Sequence, residues 1–557
     1  MDRSHSSLDA DRPAAVAYKS QHSNGANAMV DVATDDGDSS ARPGSTRKIW
    51  LLGGLALVVL AAGGVVAAVV LLKAKSSSQN TSNGASSGNP TNPPSTDAGL
   101  LGGGGAVAPS PNGNTNNGNG AATTPTNPAS DPEAAVPVLT MLAIGDWGGT
   151  TGKEHGIPGS CCKLYKADNQ LDTTKTRYMV DFYSQKYIAT LLGQSAAQLS
   201  PARVISHGDN IYWNGLGSLD WQYRFQETFE KIYDAPSLQG VKWLNVAGNH
   251  DIGGSSFICG EQDNQFVECA STAQMLRYLN ERFDLQAQYK SPNQDRWLMK
   301  DHYYVESVSK NGVTVDIFNL DTNYADSHGA RQVCCQCYGY SAKYGYDSSK
   351  CNDVNPGDKA CAGGSLDMYN TCMAQITDWA TDSYTKATRD IAASTATFKI
   401  VNTHYSPHFH MTPDKMLAWY TLCKNTSVSA WFNGHTHGFN HDIANWGTHF
   451  FENGGGGGIV TETSTVGQNP YISNAWVGAG TPYGFMELSF SKDWLKVQFV
   501  TFDKAWTFGG LNYADTVPGG IQRGHCWFVP SVQYSATGAK GVACKSSVDG
   551  AIGAPIR

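Results

Sequence analysis

The chain has 557 residues, of which 40% are hydrophobic and 16% charged, and its formal net charge is -8. The length allows more than one domain, but 60 glycines and a long stretch without large apolar residues mean that far fewer residues can pack in a core. The sequence holds no basic domain or Lys/Arg run to neutralise a phosphate backbone, which argues against nucleic acid as a partner.

The first 137 residues form three regions, and none of them predicts a packed domain. Residues 1–48 are polar and poor in aromatic side chains, which predicts a disordered cytoplasmic tail. Residues 49–72 form an uncharged apolar run longer than the roughly 20 residues that cross a bilayer core, and they predict a transmembrane helix. A cleaved signal peptide is the lesser alternative because 48 polar residues precede the run. Residues 73–137, rich in Ser, Asn, Gly, Thr and Pro, predict a disordered stalk.

The cysteines predict the compartment of the remaining domain, residues 138–557. All 13 lie beyond residue 160, a distribution typical of an oxidising environment. Basic residues at Arg47 and Lys48 favour a cytoplasmic N-terminus, and Asn80 and Asn425 begin N-glycosylation sequons on the other side of the apolar run. The sequence therefore predicts a single-pass type II membrane glycoprotein whose folded domain is extracellular or luminal.

Five short segments within this domain each follow an apolar, strand-like run. They are GDWGG (145–149), GDNIY (208–212), GNHD (248–251), NTHYSPH (402–408) and GHTH (434–437). They offer seven oxygen and nitrogen ligands, which are Asp146, Asp209, Tyr212, Asn249, His404, His435 and His437. A Gly-Asp pair or a lone histidine after a strand is usually structural, so the prediction rests on the conjunction of all five segments.

The mixture of residue types is typical of a site for two metal ions. Two cations about 3.5–4 Å apart need a shared anionic ligand, outer ligands of each kind and open positions for water and substrate. A combined oxygen and nitrogen set favours iron, zinc or manganese over calcium or magnesium alone. Because ligands bind at the carboxyl ends of strands in open α/β sheets, we expect the five segments to meet at one edge.

The order Asp, Gly-Asp, Gly-Asn-His, His, Gly-His-x-His resembles that of the calcineurin-like metallophosphoesterases. Tyr212, three residues beyond the second aspartate, narrows the resemblance to purple acid phosphatases, and residues 221–251 resemble the small, tartrate-resistant branch. The resemblance covers residues 138–321 and 375–490. It implies an α/β fold with a two-sheet β-sandwich flanked by helices, which agrees with the helical stretches 173–199 and 373–393, and a dinuclear metal site at the carboxyl ends of the strands.

The resemblance also implies a role for each ligand. Asp146, Tyr212 and His437 would hold Fe(III), and Asp209 would bridge the two ions. The second, divalent ion (Fe, Zn or Mn) would be held by three further residues, namely Asn249, His404 and His435.

Five other residues near the motifs are candidates for roles beyond metal binding. His250 corresponds to the family's general acid, with a structural role as the alternative, whereas His207 and Asn210 are expected to orient ligands. His408 and His410 lie four and six residues beyond His404, closer than the family's usual spacing of eight to ten. Each is therefore expected either to reach the leaving group or to be a surface histidine.

These residues predict a membrane-anchored acid phosphatase that hydrolyses phosphate monoesters, of small molecules or of proteins, by two-metal hydroxide attack. A phosphodiesterase or nucleotidase of the same superfamily is the first alternative, because substrate choice depends on loops that the motifs do not define. A non-enzymatic surface ectodomain is the second, and it is disfavoured because all seven ligand positions are filled.

Six cysteines fall in a segment at 323–372 that the resemblance leaves uncovered: Cys334, Cys335, Cys337, Cys351, Cys361 and Cys372. They predict a loop-rich insertion held by disulfides, with a zinc knuckle as the alternative. Cys259 and Cys269 are expected to close a local hairpin. Since 13 is an odd number, one thiol should be free or bonded to another chain.

Overall fold

The computed structural model describes residues 131–149, 184–254, 256–262, 267–326, 329–457, 469–479, 482–503, 506–507, 520–548 and 555–556. The predicted tail and transmembrane helix lie outside these ranges, as do the stalk up to residue 130 and the sequon at Asn80. Among the helices in the described part of the chain, none is long and apolar enough to cross a membrane.

The strands of the described residues are numbered here in chain order. They are β1 Leu139–Ile144, β2 Arg203–Ser206, β3 Lys242–Asn245, β4 Trp297–Leu298, β5 Tyr303–Lys310, β6 Val313–Leu320, β7 Phe398–Asn402, β8 Ala430–Asn433, β9 Phe439–Ala444, β10 His449–Asn453, β11 Ile472–Val477, β12 Phe485–Phe490, β13 Trp494–Phe502, β14 Trp506–Thr507, β15 Ile521–Pro530, β16 Val542–Ala543 and β17 Pro555–Ile556.

The helices are numbered in the same way. They are α1 Ser184–Leu199, α2 Trp221–Phe225, α3 Thr272–Gln288, α4 Ala330–Cys335, α5 Cys337–Tyr344, α6 Leu366–Ala393, α7 Pro407–His410, α8 Pro413–Thr426 and α9 Val532–Ser535. Short 3₁₀ turns occur at Pro132–Ala134, Pro236–Leu238, Ser348–Lys350 and Ala362–Gly364, and a π turn at Gln226–Glu230.

The long strands form two mixed sheets. The first has the order β16-β15-β13-β12-β1-β2-β3-β4 and the second β11-β9-β10-β8-β7-β6-β5. In the first sheet β1, β2, β3 and β4 are parallel neighbours, and in the second β6, β7, β8 and β10 are. Each sheet thus contains a parallel block whose strands all end at the same edge.

Alternating side chains along the parallel strands build a core on each face of each sheet. In β1, Met141 and Ala143 pack between the two sheets, whereas Leu142 and Ile144 pack beneath α1. In β8, Phe432 belongs to the core between the sheets and its neighbours face the other way. Because successive strand residues point to opposite faces, the result is helices outside two packed sheets, and the predicted sandwich is confirmed.

The predicted helical stretches are found with different starting points. The stretch 173–199 contains α1, and its first residues lie outside the described part. The stretch 373–393 is the C-terminal part of α6, which begins seven residues earlier, at Leu366. Ser365 caps this helix, since its hydroxyl accepts a hydrogen bond from the backbone N–H of Met368 at 3.2 Å. The end of the predicted insertion is therefore helical.

The cysteines of the insertion form three disulfide bonds. They join Cys334 to Cys372, Cys335 to Cys361 and Cys337 to Cys351. The expected disulfides are confirmed and the zinc-knuckle alternative is wrong, because no thiolate of these six is left to bind metal. The segment is less loop-like than predicted, since α4 and α5 lie within it.

Of the other five described cysteines, four form disulfide bonds and one is free. Cys259 pairs with Cys269, as predicted, and Cys526 pairs with Cys544, a bond the sequence did not reveal. Cys423 is a free, buried thiol, which fits the odd cysteine count.

Candidate metal centre

The predicted ligands follow the carboxyl ends of parallel strands in both sheets. Asp146 lies two residues beyond β1, Asp209 three beyond β2 and Asn249 four beyond β3. In the second sheet, His404 lies two residues beyond β7 and His435 two beyond β8. The two parallel blocks end at the same edge of the sandwich, so residues as far apart in the chain as Asp146 and His435, which are separated by 289 positions, meet there.

The first group of donor atoms lies around the Tyr212 hydroxyl. This oxygen is 3.1 Å from Oδ2 of Asp209, 3.3 Å from Oδ1 of Asp146 and 3.0 Å from Nε2 of His437. One ligand atom from each of Asp146, Asp209 and His437 lies within 4.8 Å of the others. This spacing is short enough for a single cation to contact all of them.

The second group lies around Nε2 of His404. This nitrogen is 3.1 Å from Oδ1 of Asn249, 3.2 Å from Nδ1 of His435 and 3.5 Å from Oδ2 of Asp209. Asp209, His404 and His435 again place one ligand atom each within 4.8 Å of the others. Asp209 belongs to both groups, which is the position a bridging ligand must occupy.

Four of the seven predicted ligands have a left-handed backbone. The φ angles are 54° at Asp146, 51° at Asp209, 78° at His435 and 55° at His437. Non-glycine residues seldom adopt this conformation, and where they do the strain is typical of functional sites. Such backbone angles turn the chain sharply after each strand and direct the side chains inward.

Two motif glycines are required by the closeness of these ligands. A Cβ atom at Gly248 would lie 2.2 Å from Oδ1 of Asp209, and one at Gly434 would lie 2.1 Å from Oδ2 of Asp146. Both distances are well inside van der Waals contact. The glycines of GNHD and GHTH therefore leave room for ligands contributed by other segments.

The electrostatics of the site fit bound cations. Burial raises the pKa of Asp146 well above its usual value, and the Asp209 carboxylate raises it further. Burial likewise raises the pKa of Asp209 and, together with both carboxylates, that of the Tyr212 hydroxyl. Buried anions that repel one another favour their charged forms only if positive charge lies between them. Two cations would supply that charge.

His404, one of the two histidines of the second group, is held in its metal-binding form. Burial lowers the pKa of His404 to about 4, so that the ring is neutral. Its Nδ1 donates to the backbone carbonyl of His207 at 2.8 Å, which directs the Nε2 lone pair toward Asn249 and His435. His207 contributes here through its backbone and not as a ligand.

Hydrogen bonds to two buried asparagines hold the His207 side chain, and therefore the position of this carbonyl. Nδ1 of His207 lies 2.7 Å from Oδ1 of Asn402, and Nε2 accepts from Nδ2 of Asn453 at 3.1 Å. Burial lowers the pKa of His207 to about 3, which agrees with a neutral ring that donates at Nδ1 and accepts at Nε2. The expected orienting role of His207 thus has a direct geometric basis.

Two residues of the motifs have structural importance that sequence reasoning missed. Asp251, the last residue of GNHD, is fully buried and accepts from the backbone N–H groups of Asn210 and Gly248 at 3.0 and 2.8 Å. Tyr405 donates its hydroxyl to Oδ1 of Asn249 at 3.2 Å. The available signal was position in the motifs, since Asp251 directly follows His250 and Tyr405 directly follows His404. These motifs were used only to find ligands, residues that orient them and an acid.

The three catalytic candidates differ in position. His250 lies against Tyr212, with ring centroids 4.6 Å apart, and its backbone N–H donates to Oδ1 of Asp209 at 3.0 Å. The ring of His410 lies 4.7 Å from that of His435. Nε2 of His408 is instead 3.2 Å from Oδ2 of Asp442, within β9, and its ring packs on Phe450. The structure brings His250 and His410 to the ligands, whereas His408 is buried against the second sheet.

Comparison with known proteins agrees with this geometry. A family model described as calcineurin-like phosphoesterase matches residues 139–439, more than half of the chain. The chain belongs to this family. The similar relatives within it are tartrate-resistant and purple acid phosphatases, as the resemblance implied.

The similarity to individual relatives is limited to part of the chain. Rabbit (Oryctolagus cuniculus) tartrate-resistant acid phosphatase type 5 is 32% identical over 121 residues, which are 21% of this chain and 29% of the rabbit protein. Purple acid phosphatase 3 of Arabidopsis thaliana is 47% identical over 72 residues, 13% of this chain and 19% of the plant protein. The chain thus matches less than a third of the length of each. Purple acid phosphatase from yellow lupin (Lupinus luteus) seeds aligns with 65% of this chain and 51% of its own, with a TM-score of 0.34 and 12% identity.

Proposed function

We propose that this protein is a metal-dependent acid phosphatase that hydrolyses phosphate monoesters. The observation that carries the proposal is the pair of donor groups that share Asp209. Membership of the calcineurin-like phosphoesterase family and the similarity to tartrate-resistant and purple acid phosphatases support it.

The donor atoms favour two different metal ions. The carboxylate, phenol and imidazole around Tyr212 would hold Fe(III), because hard anionic oxygens prefer a highly charged cation. Asn249, His404 and His435 offer an uncharged set that suits a divalent Fe, Zn or Mn. When bound, two such ions lower the pKa of water and stabilise the charge that develops on a phosphoryl group during transfer.

His250 is the general acid of this proposal. Its Nδ1 lies 2.5 Å from the carbonyl oxygen of Trp213, an oxygen that can only accept, so Nδ1 carries a hydrogen. Proton transfer to the leaving oxygen then falls to Nε2. The Trp213 and Tyr212 rings pack on the imidazole at 4.5 and 4.6 Å and limit its rotation. His410, at the end of α7 and beside His435, would contact the substrate from the second sheet's side of the site.

We further propose that the enzyme is anchored by residues 49–72 and faces the cell exterior or a luminal compartment. The uncharged run supports the anchor. The five described disulfide bonds support the oxidising compartment.

The function is tested with the detergent-purified full-length protein. Turnover should be measured on an alkyl phosphate monoester and on a phosphate diester, before and after chelation and after metal is restored. We expect faster turnover of the monoester, its loss on chelation and its return with metal. Faster diester turnover would favour the phosphodiesterase alternative, and inactivity on every ester would leave the non-enzymatic ectodomain.

A further inference from the structure

Two irregular loops lie near the GNHD motif, and the first of them contacts His250. The first loop, residues 213–217, begins with Trp213, whose carbonyl accepts from Nδ1 of His250. The second loop, residues 256–260, follows the GNHD motif and ends beside the Cys259–Cys269 disulfide. Neither loop belongs to a strand, so the sheet hydrogen bonds that anchor the metal ligands do not hold these two loops.

One buried arginine on α3 binds both loops. Nη1 of Arg282 donates to the carbonyls of Asn214 and Leu216, in the first loop, at 2.5 and 2.9 Å. Nε and Nη2 donate to the carbonyl of Ile258, in the second loop, at 3.0 and 2.6 Å, and Nη2 also reaches the Gly260 carbonyl at 3.4 Å. Within the described part of the chain, one guanidinium thus donates five hydrogen bonds to these two loops.

The same face of α3 also holds the residue after His250. Gln286, one helical turn beyond Arg282, donates from Nε2 to the backbone carbonyl of Asp251 at 3.2 Å. Residues spaced by four lie on one side of a helix, so α3 contacts both the Trp213 side and the Asp251 side of the histidine.

The disulfide-rich insertion supports the second loop from outside. Gln336, 1% exposed and flanked by the disulfide-bonded Cys335 and Cys337, accepts from the backbone N–H of Ile258 at 3.2 Å. The Cys259–Cys269 bond ties this loop to the start of α3. The loop is therefore held between Arg282 on one side and the insertion on the other.

We propose that Arg282 is a positioning residue for proton transfer by His250. By joining the two loops it holds the Trp213 carbonyl against Nδ1 and so sets the direction of Nε2. This inference rests on the proposed phosphatase function. A buried guanidinium costs desolvation free energy that an apolar side chain would avoid, and among the described residues this one donates to four carbonyls of the two loops.

The test compares Arg282→Met with a matched control, Arg296→Met, in the full-length, metal-loaded protein. Arg296 is also fully buried, but it donates to the Tyr233 carbonyl and to Glu230. We expect Arg282→Met to lower kcat on an alkyl phosphate about 10- to 100-fold more than the control does, since small misplacements of reacting groups cost that much. The loss should be much smaller on nitrophenyl phosphate, whose leaving group needs little protonation. Equal losses on both substrates would overturn the proposal.

A double-mutant comparison separates positioning from a general structural role. If Arg282 acts through His250, then Arg282→Met in a His250→Ala background should change kcat by less than about threefold, because the two effects share one cause. A full additional loss in that background would contradict the proposal. If Arg282→Met does not fold, Arg282→Lys replaces it, since one ammonium cannot span the four carbonyls.

Hydrogen exchange distinguishes failure of this inference from failure of the proposed function. Inactivity of the wild-type protein on every phosphate ester would refute the function. The amides of both loops should still exchange faster in the Arg282 variant than in the Arg296 control. Unchanged exchange would show that Arg282 does not hold the loops, whatever the protein catalyses.

Discussion

The metal ligands and the proposed acid are adjacent in space but are held in different ways. Six of the seven ligands lie two to four residues beyond parallel strands, so the hydrogen bonds of two sheets anchor the segments that carry them, whereas Tyr212 lies six residues beyond β2. The ring of His250 bonds to the Trp213 carbonyl, in a loop that Arg282 joins to a second loop, and the disulfide-bonded insertion contacts that second loop. We infer that the two sheets position the proposed metal ligands, whereas the proposed proton-transfer group depends on side chains outside the sheets. The predictions below test that division.

The largest effect on turnover is expected when one of the proposed metal ligands is removed. His404→Ala should release or weaken the divalent ion and reduce turnover to the uncatalysed background, because Nε2 of His404 lies within 3.5 Å of three other ligands. Metal analysis and monoester hydrolysis measure both changes. His408→Ala is the control, since His408 faces Asp442. Loss of metal in the control and not in His404→Ala would refute the ligand assignment.

Removing the imidazole of His250 should lower the rate of the reaction without loss of the metal ions. His250→Ala should keep both ions and lower kcat on alkyl phosphates by about 10²- to 10⁴-fold, the usual contribution of a general acid. The loss should shrink on nitrophenyl phosphate. Equal loss on both substrates would show that His250 binds phosphate instead, and the acid would then be sought at His410.

A smaller effect, on stability, is expected from His449. Its ring belongs to a buried group of hydrogen-bonded histidines, His441, His449 and His525, that includes neither a proposed metal ligand nor His250. Burial lowers the pKa of His449 to about 3, below the 6.5 of an unfolded histidine. Between these values the unfolded chain binds one more proton, so stability is complete above pH 6.5 and is lost as the pH falls. His449 should thus lower the free energy of unfolding by about 2 kcal/mol between pH 7 and pH 5.

His449→Gln, which cannot titrate, provides the measurement. Denaturant unfolding at several pH values should give a pH dependence shallower than that of the wild type by about that amount. An identical dependence in both proteins would contradict the pKa direction. Metal content should not change, because the ring bonds to His441 and not to a ligand.

The smallest effect on the metals is expected from reduction of the insertion. Mild reducing agent should open the disulfides of residues 334–372 before metal is lost, because none of these cysteines is a ligand. Peptide mass mapping and metal analysis follow the two events. Simultaneous loss of metal would show that the insertion supports the sheet edge as well as the loop.

The sequence predicted the proposed metal ligands, which follow strands, but not the buried side chains that hold the loops beside them. Each ligand ends its own apolar run, so a local pattern was enough to find Asp146, Asp209 and His404. Arg282 was missed because its partners are backbone carbonyls more than twenty residues away, and carbonyls leave no mark in a sequence. The same holds for Asp251, which binds backbone N–H groups.

Two regions show the limits of spacing as a signal. The early start of α6 was missed because tyrosine, cysteine and glycine around residues 361–369 suggested a loop, whereas the Ser365 cap and the Cys334–Cys372 bond stabilise the first turns. His408 and His410 looked equivalent in sequence. The short helix α7 directs one ring to His435 and the other to Asp442.

In the proposed two-ion centre, the Tyr212 phenolate binds ferric iron. The most direct measurement is the metal content and visible absorption spectrum of the oxidised full-length protein beside Tyr212→Phe. The account predicts two metal ions per chain, at least one of them iron, and a purple or pink colour that the substitution abolishes. A colourless, active enzyme without iron, or a visible band unchanged in Tyr212→Phe, would contradict it.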